Sequence, residues 1–513
     1  MTHVMTARRG GRLRAGASGL SAAVLAVGAG ELVAAVVEPA ASPVAVIGSG
    51  LIDLAPAWAK DTAIALFGTG DKAALITGIA IVLAGVAVLS GILEARRGGL
   101  GSVVLGALGA LALIVAMTRP GAGPFAWLPG LVAGVVAVVA LRLLMRTVQP
   151  IPYVRTDSEE RRRFLLWTAG VAAAGVAALI VGNVARGATR SIEAVRDALR
   201  LPQATRPAAP VPATADLGIP SLAPVVTPNT EFYRIDTALV VPRIDPGDWR
   251  LRIHGMVERE VEITWDELLA LPMQESHVTL ACVSNEVGGS LIGNALWLGH
   301  PVRDLLARAG VDPDADMVLS TSSDGFTAST PIEALTDDRD ALLAVGMNGE
   351  PLPIEHGFPV RMVVPGLYGY VSATKWVTDL EVTRFDRKTA YWTTRGWSDH
   401  GPVKLQSRID VPRRGQRIEP GEAVIAGMAW QQHVGVEGVE VRIDGGSWQQ
   451  AELASAISAD TWVQWRLPWT ADSGSHSIEC RAISADGDTQ TSDPAPPAPD
   501  GAQGWHRIDV SVG

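Results

Sequence analysis

Cysteine is nearly absent: Cys282 and Cys480 are the two in 513 residues. So few thiols exclude a disulfide framework, a cysteine-rich zinc site and an iron–sulfur cluster. Histidine is missing over a long stretch, with none between His3 and His254. A transmembrane b-type haem draws paired histidines from its helices, so no haem is expected in the first half of the chain. Residues 1–200 hold 19 basic and 11 acidic residues; the remainder holds 24 and 42, and the net charge is −10. An acidic second half lacks the clustered Lys and Arg that a phosphate backbone requires, so nucleic acid is not an expected partner.

What the sequence has is apolar length. Its 54 glycines and positive mean hydropathy of +0.23 indicate a membrane protein. Five apolar runs, roughly at 16–37, 73–93, 99–117, 125–145 and 164–185, approach or exceed the ~20 helical residues that cross a bilayer core. They predict an all-α transmembrane domain over 1–190, with the lipid bilayer as a partner. The stretch 44–69 is broken by Asp53, Pro56, Lys60 and Asp61 and reads as interfacial or re-entrant. Glu31, inside the first run, is an ionisable group in a costly place, and the sequence offers it no partner. Gly101, Gly106 and Gly109 in the third run read as helix-packing positions.

Basic residues cluster before the first run (Arg8, Arg9, Arg12, Arg14), after the second (Arg96, Arg97) and between the fourth and fifth (Arg142, Arg146, Arg155, Arg161, Arg162, Arg163). By the positive-inside rule the N-terminus is cytoplasmic, and five spans then place everything after 185 outside. The run Arg161-Arg162-Arg163-Phe164-Leu165-Leu166 resembles a twin-arginine export signal, which moves folded, cofactor-loaded proteins.

Beyond the fifth run the pattern changes. Residues 191–225 carry Pro202, Pro207, Pro210, Pro212, Pro220 and Pro224, a Pro-rich linker and extended spacer. Residues 226–410 alternate short strands and helices, an α+β domain. Trp249–Ile253 reads as a strand, Thr264 with Glu267 as a capping box, and 301–309 as an amphipathic helix closed by Gly310. Residues 411–513 predict about seven strands, with a hairpin turn at Asp444-Gly445-Gly446, and so an immunoglobulin-like β-sandwich. Twelve of the fifteen tryptophans fall after residue 200, as two packed soluble domains require.

Three stretches carry chemistry. Cys282 follows an apolar strand and opens into Val-Ser-Asn285-Glu286-Val287-Gly288-Gly289. A lone cysteine is most often a buried small hydrophobe, but a thiolate at a strand end is also a soft metal ligand or a nucleophile. His277, the nearest base for a cysteine hydrolase, sits five residues earlier and falls on the opposite strand face. His356-Gly357-Phe358-Pro359-Val360-Arg361 and Thr374-Lys375-Trp376 add donors and positive charge to an acidic domain, as an anionic, phosphate-bearing ligand would need. The third stretch runs from Thr227-Pro228-Asn229 to Phe232-Tyr233-Arg234.

In this order, together with Asp324-Gly325 and Met347-Asn348-Gly349, these motifs resemble the sulfite oxidase family of molybdopterin enzymes over about 225–513. The resemblance implies a molybdopterin oxidoreductase in which Cys282 binds molybdenum and Arg234 acts in catalysis. It implies cofactor contacts from Tyr233, Arg234, Asp324, His356, Arg361, Thr374 and Lys375, with the last domain as a dimerisation module. The implied partners are a small-molecule substrate and a separate electron-transfer partner, since the family's cytochrome-like haem module has no counterpart here. Two departures stand out. Val287 occupies the place of a second substrate-binding arginine, and Thr394 that of an active-site tyrosine, with Tyr391 close by. Sulfite as the substrate does not follow from the resemblance; a sulfoxide- or nitrate-type reductase and a catalytically lapsed binding module are the alternatives.

Overall fold

The computed structural model describes residues 2–38, 41–54, 71–119, 122–148, 157–188 and 192–513. The chain divides into two compact units, one of 1–191 with 237–242, the other of 192–236 with 243–513.

The first unit is helical: α1 (Thr2–Val37), α2 (Pro43–Leu54), α3 (Asp71–Arg96), α4 (Leu100–Met117), α5 (Leu128–Met145) and α6 (Asp157–Ala188). Five of these contain stretches long and apolar enough to cross a membrane, at Gly11–Val37, Ala74–Arg96, Leu100–Met117, Leu128–Met145 and Arg162–Gly182. They coincide with the five apolar runs. Small residues let the helices approach closely: a Cβ at Gly109 would collide with Gly134 on the facing helix, and one at Gly19 with Ala87 and Gly91. Glu31 does have partners. It is 3% exposed, and its carboxylate accepts Ser42 Oγ at 2.7 Å and Val44 N–H at 3.2 Å, so it caps the first turn of α2. Of the 44–69 stretch, only the part within α2 is described; Lys60, like Arg155, lies outside the described residues.

The second unit opens with a short helix, α7 (Ile192–Ala198), where the sequence reading expected spacer. The reason is local: no Pro or Gly occurs from Ile192 to Leu201, and Arg196 is tied to Leu352 O at 2.9 Å and Pro351 O at 2.7 Å. From there to Val225 the chain is extended, as its prolines dictate, but it is not a free tether. Thr205 N–H donates to Met273 O, Leu217 N–H to Gln464 Oε1, and Trp462 Nε1–H to Val225 O.

The α+β part contains two sheets. One has the order β2 (Val261–Thr264), β1 (Arg250–Gly255), β10 (Val377–Thr383), β5 (Met317–Ser322), β6 (Thr327–Pro331), with β1 and β10 parallel and the other pairs antiparallel. The other has β3 (Gln274–Ala281), β4 (Ile292–Pro301), β7 (Leu342–Met347) and β8 (Glu350–Pro351), with β9 (Arg361–Val363) also paired to β7. Thr264 and Glu267 form the capping box of α8 (Trp265–Ala270), and α9 (Val302–Ala309) ends at Gly310 in the left-handed region. Three tryptophans pin the core through their indole N–H groups as well as their area. Trp249 donates to Val377 O, Trp297 to Val278 O and Trp376 to Ile354 O, each at 2.8–3.0 Å.

The last part stacks two sheets on one core. The first is β11 (Gln406–Val411), β13 (Gly421–Trp430), β17 (Val463–Ala471), β16 (Glu452–Leu453). The second is β12 (Arg417–Ile418), β19 (His506–Val512), β18 (Gly474–Ser484), β14 (Val436–Ile443), β15 (Gln449–Gln450). Ile425 and Trp465 from one face meet Val441, Ile478 and Ile508 from the other. Cys480 belongs to this core; burial pushes its thiol up to about 12, and its sulfur accepts Ser407 Oγ–H. It is a small apolar residue here, with no part in the site.

Candidate active site

The site forms where β3 ends. Cys282 is the first residue beyond that strand and is buried, its N–H held by Leu291 O at 2.9 Å. The loop then turns back on itself: Asn285 N–H donates to Cys282 O, and Asn285 Oδ1 accepts Leu291 N–H at 2.8 Å. Gly288 has φ +78, and a Cβ there would collide with the His506 ring, so the turn accepts only glycine. Arg408 closes the loop from the sandwich side by donating to Gly289 O at 2.8 Å. Burial pushes the Cys282 thiol above its usual range, while hydrogen bonding to Ser284 and the nearby Lys375 charge pull it partly back.

His356, Arg361 and Lys375 form the cationic part of the site, and the Lys375 charge reaches the cysteine. A short helical turn, Ile354–His356, presents the histidine. Gly357, at φ +112, lets the chain pass so closely that a Cβ would press on the Arg361 and Lys375 side chains. Arg361 is 3% exposed. Its guanidinium donates to carbonyls, His356 O at 3.0 Å and Met362 O at 3.3 Å, and lies over the Trp297 ring at 5.0 Å. Burial lowers it to about 10. Burial, then the Lys375 and Arg361 charges, drive His356 down to about 3, so its imidazole is neutral at ordinary pH. One ring nitrogen, Nε2, pairs with Asn229 O at 3.3 Å; the other, Nδ1, is buried with no partner.

Lys375 donates to Glu355 O at 2.9 Å and pairs with Asp236 at 3.1 Å. Burial, partly opposed by Asp236, lowers it to about 8. Thr374 is fully buried, its hydroxyl 2.7 Å from Ser320 Oγ. Phe232 stacks on Tyr233 at 5.3 Å and meets His356 edge-on at 5.5 Å. Tyr233 is raised by burial and by its nearness to Cys282. Arg234 is forked onto Asp236, Nε to Oδ2 at 2.9 Å.

Cys282, Tyr233, Arg234, His356, Arg361 and Lys375 are thus drawn together from four separate stretches of chain. Asp324 sits beside them in the β5–β6 turn: Ser323 N–H donates to Trp376 O, while the Asp324 carboxylate accepts its own loop's Phe326 N–H at 3.1 Å. Asn348 binds Thr227 O and Asn229 Oδ1, at 2.9 and 2.8 Å, which makes its motif a brace for the segment leading to Tyr233. Asp236 was missed in the sequence; its only signal there was a carboxylate two residues after an arginine. Tyr391 lies under the Arg395 guanidinium at 3.5 Å, with the Phe326 ring tilted 55° to it at 5.8 Å.

The donor set suits molybdopterin. Among the described residues, a buried guanidinium is held by carbonyls and a ring face, beside an imidazole nitrogen without a hydrogen-bond partner, which leaves places for an anion and a polar group. No group of three or more metal-ligating side chains exists among the described residues, so a metal here would take most of its ligands from elsewhere than the chain. A pterin dithiolene with a phosphate tail meets all three conditions.

Comparison with known proteins agrees. A family model described as an oxidoreductase molybdopterin-binding domain matches residues 238–392, which include Cys282, Asp324, His356, Arg361, Thr374 and Lys375. Tyr233 and Arg234 precede the match. The chain is 31% identical over 342 residues to mouse mitochondrial sulfite oxidase, covering 56% of this chain and 62% of the mouse one. It is 32% identical over 180 residues to the uncharacterized oxidoreductase YuiH of Bacillus subtilis, covering 34% of this chain and 87% of YuiH. Among solved structures, the sulfane dehydrogenase SoxCD of Paracoccus pantotrophus aligns with a TM-score of 0.48 and 26% identity, over 53% of this chain and 76% of that one. By the family-model match, the chain contains a molybdopterin-binding oxidoreductase domain. The chain belongs to the sulfite oxidase family of molybdopterin-dependent oxidoreductases, and it spans 62% of the length of the mouse enzyme.

Proposed function

We propose that the chain is a membrane-anchored molybdopterin oxidoreductase. It performs oxygen-atom or two-electron transfer on a small substrate outside the cytoplasm and exchanges electrons with a separate partner. The observation that carries this reading is the Arg361–His356 pair, which among the described residues is a buried cation without a carboxylate next to an unpartnered nitrogen. Molybdenum held by the pterin dithiolene supplies the redox chemistry when bound. Cys282 provides the chain's one thiolate to the metal, a soft ligand at a strand end whose loop is fixed by Asn285 and Gly288.

Arg361 and Lys375 hold the phosphate, His356 offers Nδ1 to a pterin N–H, and Tyr233 with Phe232 walls the pocket. Thr374 and Asp324 extend the contact through the turns they occupy. Arg234 faces the substrate. The five apolar helices anchor the protein, with the N-terminus inside and the twin-arginine-like stretch exporting the loaded domain. The C-terminal sheets form an immunoglobulin-like sandwich suited to homodimerisation, and electrons leave without a haem of the chain's own. A reductase direction is the second reading; it is favoured by 33% identity over 193 residues to a rice nitrate reductase. A screen of purified protein with artificial electron dyes, run in both directions, tests the reading. Turnover of a small oxygen-atom donor or acceptor by molybdenum-loaded protein is expected, and loaded protein inert toward every class would reject it.

A further inference from the structure

Three cations, Arg361, Lys375 and Arg234, act on His356 across this site, Lys375 also on Cys282, and they differ in what already answers them. Arg361 meets carbonyls and an indole face. Lys375 and Arg234 share one carboxylate. Asp236 Oδ2 accepts Lys375 Nζ at 3.1 Å and Arg234 Nε at 2.9 Å, and its Oδ1 lies 3.4 Å from Arg234 Nη2. The Asp236 side chain is 6% exposed, that of Arg234 37%. The acid is thus buried under the arginine, whose fork is spent on it. A carboxylate so placed removes one of the two positive charges, and in low-dielectric surroundings that field change is large. Val287 contributes no charge from the loop after Cys282.

We propose that Asp236 sets this site for an uncharged substrate, a small molecule with a polar S–O or N–O bond, and turns away oxyanions such as sulfite or sulfate. The inference rests on the molybdopterin reading above. With Arg361 and Lys375 committed to the cofactor phosphate, an incoming oxyanion would meet the Cys282 thiolate and Asp236 without an uncommitted guanidinium. An uncharged S-oxide needs one directed hydrogen bond, which the outer N–H groups of Arg234 can give while the fork stays on Asp236.

The test uses the full chain in detergent, with molybdenum content measured first. A chain without molybdenum would defeat the molybdopterin reading itself, separately from this inference. On loaded wild-type protein, calorimetric titration with sulfate and with sulfite should give no saturable binding in the millimolar range, while dimethyl sulfoxide should bind or turn over. Asp236→Asn frees the Arg234 fork and should tighten sulfate binding by at least about tenfold; adding Arg234→Ala should erase that gain. Asp236→Glu, which keeps the charge, should behave as wild type. Sub-millimolar sulfate or sulfite binding by the loaded wild type would overturn the proposal without any variant. So would a loaded Asp236→Asn protein whose sulfate affinity is unchanged.

Discussion

Glu31 and Arg361 are both buried charges, and the two units treat them in opposite ways. In the helical unit the partners of the carboxylate include donors close in sequence, a serine hydroxyl and the first amide of α2. In the β-rich unit the guanidinium is answered by carbonyls and an aromatic face, which solvate it but leave its charge uncancelled. A buried charge satisfied at home is scaffolding. One that the fold holds in place without a counter-ion is prepared for a ligand, because leaving a buried charge uncompensated costs several kcal/mol, roughly 3–5 when a partner is missing.

That contrast can be broken by substitution. The largest effect belongs to Cys282→Ser, which keeps the volume but replaces a soft thiolate with a hydroxyl that binds molybdenum poorly. Activity should vanish while circular dichroism stays native; full turnover in a variant that retains cofactor would contradict the assignment. Next comes export. Changing Arg161, Arg162 and Arg163 to Lys keeps the charge, so a positive-inside rule alone predicts no change, whereas a machinery that reads the planar guanidinium predicts failure. Protease added to spheroplasts should digest the wild-type domain and spare the variant. Equal digestion would remove the twin-arginine reading, and protection of both would remove the topology.

How much of this the sequence disclosed depends on the range of the interaction. Features with local causes were legible: the five apolar helices, the Thr264–Glu267 capping box, the Gly310 helix end and the hairpin at Asp444. The partner of Glu31 lies eleven residues away and was invisible, because helix geometry rather than sequence spacing brings Ser42 to it. Asp236 and Lys375 are 139 residues apart, and no periodicity reports such a pair. The Pro-rich segment reads as an extended spacer from its prolines, but its hydrogen bonds to Met273 and Gln464 were not legible, since they depend on what the fold sets beside it. The site motifs themselves were recognised by resemblance. Physical reasoning alone left Cys282 and each cation with ordinary structural roles.

Smaller effects sharpen the comparison. Arg361→Ala should lower cofactor content by about tenfold or more, since a charge-assisted contact is lost; normal pterin occupancy would count against its role as an anion clamp. His356 gives a pH signature. Its pKa is about 3 folded and near 6.5 unfolded, so between those values the unfolded state binds more protons and stability falls as pH drops through the window. At pH 5 the loss is roughly 2 kcal/mol, about 1.4 for each unit below 6.5. His356→Gln should flatten that part of the acid limb in denaturant titrations of cofactor-free protein, and an unchanged slope would refute it. Smallest is Glu31→Gln, expected to cost about 1–2 kcal/mol in the helical unit and to leave molybdenum content untouched. A fall in molybdenum would show that Glu31 is more than scaffolding.

The central claim is that the buried cationic pocket around Cys282 is a molybdopterin site. Metal analysis of the purified full chain, with pterin measured as its fluorescent oxidation product, tests it most directly. About one molybdenum and one pterin per chain, both reduced together in Arg361→Ala, is the predicted result. A folded wild-type chain, made in cells that supply the cofactor, with neither molybdenum nor pterin would contradict it.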